Sequence, residues 1–168
     1  MPELFSGLEH HRGARGLWAR RTVLTLLTIM AALALWGLFG QRETESQAAG
    51  PAAHLQLSGP DTVRGGLFFQ SRIDVRATAA IDHPRLLLDT GWLERMQFNS
   101  IEPAPESESS RDGRLVLSYG PLKPGDLLRI WLQFQVDPTN VGRRPYGVEL
   151  DDQDRPLARI DRTLTVLP

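Results

Sequence analysis

Apolar and polar residues follow two different patterns along this chain, one continuous and one alternating. The continuous pattern is a run of nineteen uncharged residues from Thr22 to Gly40, which lies between Arg21 and Arg42. As a helix this run is about 28 Å long, close to the roughly 30 Å hydrocarbon core of a bilayer. Its polar side chains are threonines, whose hydroxyls bond back to the helix carbonyls. The pattern therefore predicts a transmembrane helix over residues 22–40.

The alternating pattern occurs beyond residue 53, where apolar side chains recur at every second position. It is clearest in Leu67–Thr78 and Leu127–Val136. Successive side chains of a strand point to opposite faces, so each segment is predicted to be a strand with one face on a core. A weaker form of the pattern predicts six further strands: His54–Ser58, Arg85–Asp89, Arg95–Ile101, Arg114–Tyr119, Tyr146–Asp151 and Leu157–Leu167.

Turn-forming residues separate these segments, for example Gly59-Pro60-Asp61 and Asp112-Gly113. No amphipathic helical period appears between them. Short strands punctuated in this way are typical of an all-β fold, and we predict an antiparallel β-sandwich of seven or eight strands. The acidic, proline-containing segment from Glu102 to Asp112 is expected to be an exposed loop.

Flanking charges set the expected orientation of the membrane helix. Residues 1–21 contain four arginines and two glutamates, and basic residues beside a span stay in the cytoplasm. We therefore expect a cytoplasmic basic tail (1–21), a transmembrane helix (22–40), a flexible tether (41–53) and an extracytoplasmic β-sandwich domain (54–168). A cleaved signal peptide is the alternative, because small residues suited to a cut occur at Ser46-Gln47-Ala48.

Two segments resemble parts of known modules. The turn Leu122-Lys123-Pro124-Gly125-Asp126 before LLRIWLQFQV is similar to the turn before a late core strand in fibronectin-III-like and bacterial immunoglobulin-like modules. The segment 60–66, followed by LFFQSRIDVRA, is similar to their first turn and second strand. The resemblance spans residues 54–168 and implies an immunoglobulin-like sandwich that brings no catalytic residue. It leaves the strand order open, because the cysteine pair and intervening tryptophan of antibody domains are missing.

The whole chain also resembles small single-pass membrane proteins of high-GC bacteria, whose arginine, alanine, leucine and glycine bias it shares. It has no cysteine, which excludes disulfides, thiolate catalysis and a lipid anchor on cysteine. The part beyond the apolar run has 15 basic and 18 acidic residues, which argues against a nucleic-acid surface. The chain contains no hydrolase or phosphate-loop motif, and none of its four histidines belongs to a zinc motif. We therefore expect neither an enzyme nor a cofactor.

One acidic cluster is a weak candidate for a calcium site. Asp151, Asp152 and Asp154 lie close together, and carboxylate oxygens are the ligands that Ca²⁺ prefers. The spacing of an EF-hand is missing. The alternative is a hairpin turn, in which aspartate side chains bond to their own backbone.

Aromatic and basic side chains supply the candidates for a partner surface. Tryptophan, tyrosine and arginine are enriched at binding hot spots, and several fall on predicted outer faces or beside turns. The alternative is a structural role at a sheet edge or against the termini. The candidates are Phe68, Trp92, Trp131, Arg143, Arg144 and Tyr146.

These observations predict a membrane-anchored, non-enzymatic extracytoplasmic binding or assembly module. Its expected contacts are the bilayer and another membrane or envelope protein, while its ligand and oligomeric state stay open. Two other functions are compatible with the pattern. One is a secreted binding domain released by cleavage near Ala48, and the other is an envelope enzyme or ligand carrier with a pocket at a loop end.

Overall fold

The computed structural model describes residues 6–35 and 42–168, with side chains of the helix described from residue 16 to 33. The chain divides into two compact units, Met1–Gly40 and Gln41–Pro168. In the first unit one helix, α1, runs from Ser6 to Leu35. Its window Gly16–Leu33 has a mean hydropathy of 1.3 and none of it is buried, so it is long and apolar enough to cross a membrane.

Threonines within α1 bond to the backbone as expected. The Thr22 hydroxyl donates to the carbonyl of Trp18 at 3.0 Å, and the Thr28 hydroxyl donates to the carbonyl of Leu24 at 2.8 Å. The predicted helix is thus present over residues 22–35, and its expected end at residues 36–40 lies outside the described residues. The helix also extends back into the basic tail, because it begins at Ser6.

The second unit is built of strands, thirteen of them in residues 42–168. They are β1 (Glu43–Ala49), β2 (Ala53–Pro60), β3 (Thr62–Arg64), β4 (Phe68–Ala77), β5 (Pro84–Leu88), β6 (Met96–Glu102), β7 (Ser107–Arg111), β8 (Arg114–Ser118), β9 (Leu127–Val136), β10 (Gly142–Pro145), β11 (Val148–Asp152), β12 (Arg155–Ile160) and β13 (Thr163–Leu167). A short 3-10 helix, Thr90–Trp92, lies between β5 and β6.

These strands form a β-sandwich. The first sheet has the order β1-β2-β4-β9-β6, the second β12-β11-β5-β8-β7, and a third, smaller sheet β10-β13-β3. Every pairing is antiparallel except that of β13 with β3, which is parallel. The predicted all-β fold class is therefore confirmed.

The core follows the alternation seen in the sequence. On β4 and β9 every second side chain is buried, as Ile73 and Ile130 are, and the intervening ones face outward. Leu86 of β5 and Leu150 of β11 contribute the facing layer from the second sheet. Burial of these aliphatic side chains, at about 25 cal/mol for each Å² of apolar surface removed from water, drives the two sheets together.

The prediction of a flexible tether over residues 41–53 is wrong. Residues 43–49 form β1, which pairs with β2 along its whole length from Glu43–Pro60 to Ala49–His54. The folded domain thus starts near residue 43 rather than 54. The residues of β1 are small and polar because an edge strand is held by its backbone hydrogen bonds and needs no apolar stripe.

Two further segments differ from expectation. Ser107–Arg111, expected to lie within an exposed loop, forms β7 at the edge of the second sheet, and its side chains are all exposed. The predicted strand Leu157–Leu167 is two strands, β12 and β13, which belong to different sheets. The chain changes sheet at Asp161-Arg162, where the sequence alternation is also interrupted.

Candidate functional site

The outer face of the first sheet carries exposed aromatic and amide side chains on β4 and β9. These two strands pair antiparallel, with Arg72 opposite Trp131 and Gln70 opposite Gln133. We call this surface the Trp131 face. It is defined by the outward residues of the two strands: Phe68, Gln70, Arg72, Asp74, Arg76, Leu127, Arg129, Trp131, Gln133 and Gln135.

Trp131 lies at the middle of this face and is 36% exposed. The guanidinium carbon of Arg72 lies 5.4 Å from the centroid of its ring, within the range of a cation–π contact. On the other side Trp131 pairs with Glu102 of β6. A shallow concavity of about 320 Å³ opens here, lined by Gln70, Ser100, Glu102, Trp131 and Gln133. The site therefore combines an aromatic ring with hydrogen-bonding side chains.

Two of the three arginines on the Trp131 face are paired with its one carboxylate, Asp74, which is 8% exposed. Arg129 donates to both carboxylate oxygens of Asp74, at 2.8 and 3.2 Å, and Arg72 lies 3.3 Å from it. The hydrogen bond from Arg129 to Asp74, followed by their charge attraction, raises the pKa of Arg129. Arg72 and Arg129 are thus held by ion pairs, and the face as a whole carries a net positive charge.

A larger concavity, about 490 Å³, borders this face beside the strands β1 and β2. Its lining includes His54, Gln56, Arg76 and Leu127. Arg76 makes no ion pair among the residues that the structure describes. The concavity is open to solvent and adds hydrogen-bonding capacity at the edge of the Trp131 face.

The outer face of the second sheet has a different character, and we call it the ion-pair face. Arg114 and Arg159 each lie 2.8 Å from the Glu149 carboxylate, and Arg114 also lies 3.2 Å from Asp89. Burial opposes ionisation of Glu149, but the hydrogen bonds from these two arginines outweigh it and lower its pKa. The charged groups of this face are therefore engaged with one another.

Three of the six predicted partner-surface residues are exposed. Phe68 is 65% exposed at the end of the Trp131 face, Trp131 lies at its centre, and Arg143 is exposed on β10. Their predicted role in binding is developed below as part of our proposal.

The other three predicted surface residues are buried, which corrects the sequence prediction. Trp92 and Tyr146 have no exposed surface and stack on each other with ring centroids 3.9 Å apart. The 3-10 helix turns Trp92 inward, and its indole N–H donates to the carbonyl of Gly147 at 2.8 Å. Tyr146 lies two positions before the buried Val148 of β11, and its hydroxyl hydrogen-bonds with Ser71 across the sandwich.

Arg144 is also buried, and its side chain bonds to residues of the loop after β9 and of the segment after the 3-10 helix. It donates to the side-chain oxygen of Asn140 and lies 2.5 Å from the Glu94 carboxylate. Asn140 is fully buried and donates to the carbonyl of Arg95 at 3.0 Å. This network joins the loop after β9 to the segment after the 3-10 helix, and nothing in the sequence pattern indicated it.

The three aspartates of the acidic cluster face different partners. Asp154 accepts hydrogen bonds from Arg85 at 2.6 Å and Arg111 at 2.5 Å, while Asp152 accepts from the backbone N–H of His83 at 3.0 Å. Asp151 is buried on β11. The turn has positive φ at Gln153 and Asp154, which fits the hairpin alternative. Among the described residues no group of three His, Cys, Asp or Glu side chains is arranged to hold a metal ion.

Sequence reasoning identified Trp131 but missed the residues that surround it. Gln133 follows from the alternation of β9, because it lies two positions along the same face. Ser100 and Glu102 come from β6, whose pairing with β9 contains a register shift between Phe98 and Ser100. That shift is decided by the pairing of two distant segments and leaves no periodic signal in the sequence.

Comparisons with known proteins concern the fold of the second unit. No family model matches the chain, and no curated protein matches it. Among solved structures it is similar to a non-cellulosomal cohesin from the hyperthermophilic archaeon Archaeoglobus fulgidus, with 14% identity, a TM-score of 0.45, and coverage of 73% of this chain and 93% of that chain. It is also similar to the CARDB domain of a Pyrococcus furiosus protein in complex with di-metal ions, with 15% identity, a TM-score of 0.40, and coverage of 71% and 92%.

Proposed function

We propose that this protein is a single-pass membrane protein that presents a non-enzymatic binding module outside the cytoplasm. The helix α1 supports the anchor, because its apolar window Gly16–Leu33 makes no buried contact within the structure. An apolar helix that is exposed along such a length is unfavourable in water and favourable in lipid. The arginines at its N-terminal side favour a cytoplasmic N-terminus, as the positive-inside rule requires.

The strand β1 supports retention of the anchor over release by signal cleavage. A cut after Ala48 would remove all but the last residue of β1, which pairs with β2 over seven residues. It would also remove the carbonyl of Thr44, which accepts a hydrogen bond from Arg162 at 3.2 Å. The segment next to the apolar run is thus part of the folded domain, and we infer that it stays attached.

The single observation that carries the binding role is the contrast between the two outer faces. The ion-pair face satisfies its charges internally, whereas the Trp131 face offers a half-exposed indole above a concavity. Tryptophan is among the residues enriched at protein-binding hot spots, which cluster near the centre of an interface. We infer that the Trp131 face binds another protein of the membrane or envelope.

The outer face of the whole first sheet, to which the Trp131 face belongs, is large enough for such a partner. Five strands at about 4.8 Å spacing and the ten-residue length of β4 at about 3.3 Å per residue give it an area of at most about 800 Å². Standard protein–protein interfaces bury about 800 Å² on each partner. A partner of standard size would therefore cover the neighbouring strands as well as the Trp131 face.

Site-specific photo-crosslinking in native membranes tests the binding role. A photoreactive phenylalanine analogue replaces Gln133 on the Trp131 face or Ser109 on the exposed side of β7, in full-length protein. We expect a discrete adduct at position 133 that the second substitution Trp131→Ala suppresses, and none at position 109. Adducts that are equal at both positions, or unchanged by Trp131→Ala in a variant of unaltered melting temperature, would contradict the proposal.

A further inference from the structure

We propose that the end of the sandwich at which the chain enters β1 rests on the surface of an anionic phospholipid bilayer. We call it the entry end. It comprises the start of β1, the segment from Arg64 to Phe68, the loop after β9 together with the start of β10, and the C-terminal end of β13. The inference presupposes the membrane anchor of the proposed function, and it is independent of the partner proposed for the Trp131 face.

Strand pairing brings these segments to one end of the domain. β1 begins at Glu43 opposite Pro60, where β2 ends, while β4 begins at Phe68 opposite Gln135, near the end of β9. Backbone hydrogen bonds of 2.9 Å join Gly65 to the carbonyl of Leu167 and Gly66 to the carbonyl of Val136. The entry end is thus a continuous surface formed by four parts of the chain.

Most large apolar side chains exposed on the second unit lie at this end. Seven such residues are exposed in residues 42–168, and two of them, Leu127 and Trp131, belong only to the Trp131 face. Four lie at the entry end, namely Leu67, Phe68, Val141 and Leu167, and Phe68 also belongs to the Trp131 face. The seventh, Leu93, lies beside the entry end, because the carbonyl of Arg95, two residues on, accepts a hydrogen bond from the backbone N–H of Asp137. Scattered exposed apolar residues are normal on a soluble domain, but their concentration at one end indicates that this end contacts an apolar partner or a membrane.

Exposed arginines accompany the apolar side chains. Arg64 on β3 and Arg143 on β10 are exposed and make no ion pair among the described residues. The acidic groups nearby are mostly engaged, because Asp61 pairs with Arg162 and Glu94 pairs with Arg144. Free guanidinium groups beside apolar side chains are the combination that binds an interface of anionic lipid headgroups.

Asp137 and Glu43 reduce the basic character of this end without cancelling it. Asp137 stays negatively charged, because hydrogen bonds of 2.7 Å from the backbone and hydroxyl of Thr139, with a smaller attraction from Arg95, lower the pKa of its carboxyl. Glu43 is also exposed and directly follows Arg42 in the chain. These two carboxylates are outnumbered by four exposed arginines at or beside the entry end: Arg42, Arg64, Arg95 and Arg143.

Chain length also favours lipid as the occupant. The apolar run is expected to leave the hydrocarbon at Gly40, and Gln41 and Arg42 are the residues between it and Glu43. A chain spans at most about 3.6 Å per residue, so three peptide steps reach about 10 Å. A bilayer that holds residues 22–40 would therefore have its headgroup layer within about 10 Å of Glu43, which favours lipid over a second copy of the domain as the occupant of the entry end.

The absence of cysteine from the chain makes a direct test possible. Single variants Phe68→Cys and Val141→Cys probe the entry end, and Lys123→Cys probes the turn between β8 and β9 at the opposite end. A fourth, Met30→Cys, probes the helix. Each full-length variant carries an environment-sensitive fluorophore in vesicles of three parts phosphatidylcholine to one part phosphatidylglycerol. A lipid spin-labelled in the headgroup region is the quencher for positions 68, 141 and 123, and a lipid spin-labelled deep in the acyl chain is the quencher for position 30.

We expect quenching at positions 68 and 141 to exceed that at position 123 by about twofold or more, and to fall when Arg64 and Arg143 are both replaced by glutamine. Equal, weak quenching at all three positions, with strong quenching at position 30, would overturn this inference and leave the anchor intact. Absence of quenching at position 30 would instead contradict the anchor and, with it, the inference. Contact that grows with the protein-to-lipid ratio would identify a second copy as the occupant and also overturn it.

Discussion

Trp92 and Tyr146 stack with ring centroids 3.9 Å apart, and both side chains are completely buried. The pair joins separate parts of the sandwich, because Trp92 donates to the Gly147 carbonyl while the Tyr146 hydroxyl hydrogen-bonds with Ser71 of β4. Burial raises the pKa of Tyr146 far above its usual range, so its hydroxyl stays protonated. The stack is therefore a structural centre of the domain rather than part of its binding surface.

Truncation of this stack should destabilise the domain strongly. We expect Trp92→Ala to lower the free energy of unfolding by about 3–5 kcal/mol, because it removes a buried aromatic side chain and leaves a cavity. The control Trp131→Ala, at a half-exposed position, should cost about 1 kcal/mol or less. Urea unfolding followed by circular dichroism measures both. Similar losses for the two variants would show that Trp131 supports the core.

Replacement of Arg162 should weaken the attachment of β1 and β2. Its guanidinium group is almost buried, pairs with Asp61, and donates to the carbonyls of Gly59 at 2.9 Å and Thr44 at 3.2 Å. Lysine has no planar fork of donors, so Arg162→Lys should cost about 2–4 kcal/mol. The control Arg129→Lys alters an ion pair whose arginine is half exposed and screened by water, so it should have a much smaller effect in chemical unfolding.

The turn between β1 and β2 offers a test of whether residues 43–52 belong to the fold. A Cβ atom on Gly50 would lie 1.9 Å from the carbonyl oxygen of Leu157, so Gly50→Ala requires the backbone to move. We expect a loss of about 1–3 kcal/mol and faster proteolysis of β1, with Ala49→Ser at the exposed neighbour as a neutral control. A neutral effect of Gly50→Ala would favour a flexible tether.

The buried carboxyl of Asp151 should make stability depend on pH. Burial, followed by repulsion from Glu149, raises its pKa despite attraction from Arg85, Arg111 and Arg114. The folded domain then binds the proton more tightly than the unfolded chain, so this group's contribution to stability falls as pH rises from the unfolded pKa through the folded one.

Asp151→Asn should therefore raise the melting temperature at pH 7, and the difference from wild type should disappear below about pH 4, where the carboxyl is protonated in both states. Differential scanning calorimetry between these pH values measures it. Asp161→Asn, on an exposed side chain, is the control and should give a smaller change. A lower melting temperature of Asp151→Asn at pH 7 would mean that the three arginines dominate the site.

The sequence pattern located the central strands accurately and the edge strands poorly. The predicted segment Leu127–Val136 coincides with β9, and Leu67–Thr78 exceeds β4 by one residue at each end. Each of these strands has one buried face, so burial imposes the alternation that the sequence displays. The edge strands β1 and β7 have polar sequences, and their position depends on backbone pairing with segments elsewhere in the chain.

Residue type alone did not separate buried from exposed aromatic side chains. Trp92 and Trp131 are equal candidates in the sequence, yet the 3-10 helix directs the first into the core and strand alternation leaves the second on the surface. Strand periodicity thus predicted Trp131 and Phe68 correctly as outward residues. The direction of a side chain in a turn depends on tertiary packing, which no local pattern encodes.

The pairing of β1 with β2 has a mechanical consequence for a tethered domain. β1 begins at Glu43, so tension applied at Arg42 along the strand acts on all seven paired residues together, in shear. Hydrogen bonds perpendicular to the pulling direction must then break nearly simultaneously instead of unzipping one by one. Arg162 reinforces this joint by bonding to backbone carbonyls of both strands, at Thr44 and Gly59. The domain is thus suited to bear force at the point where the chain enters it.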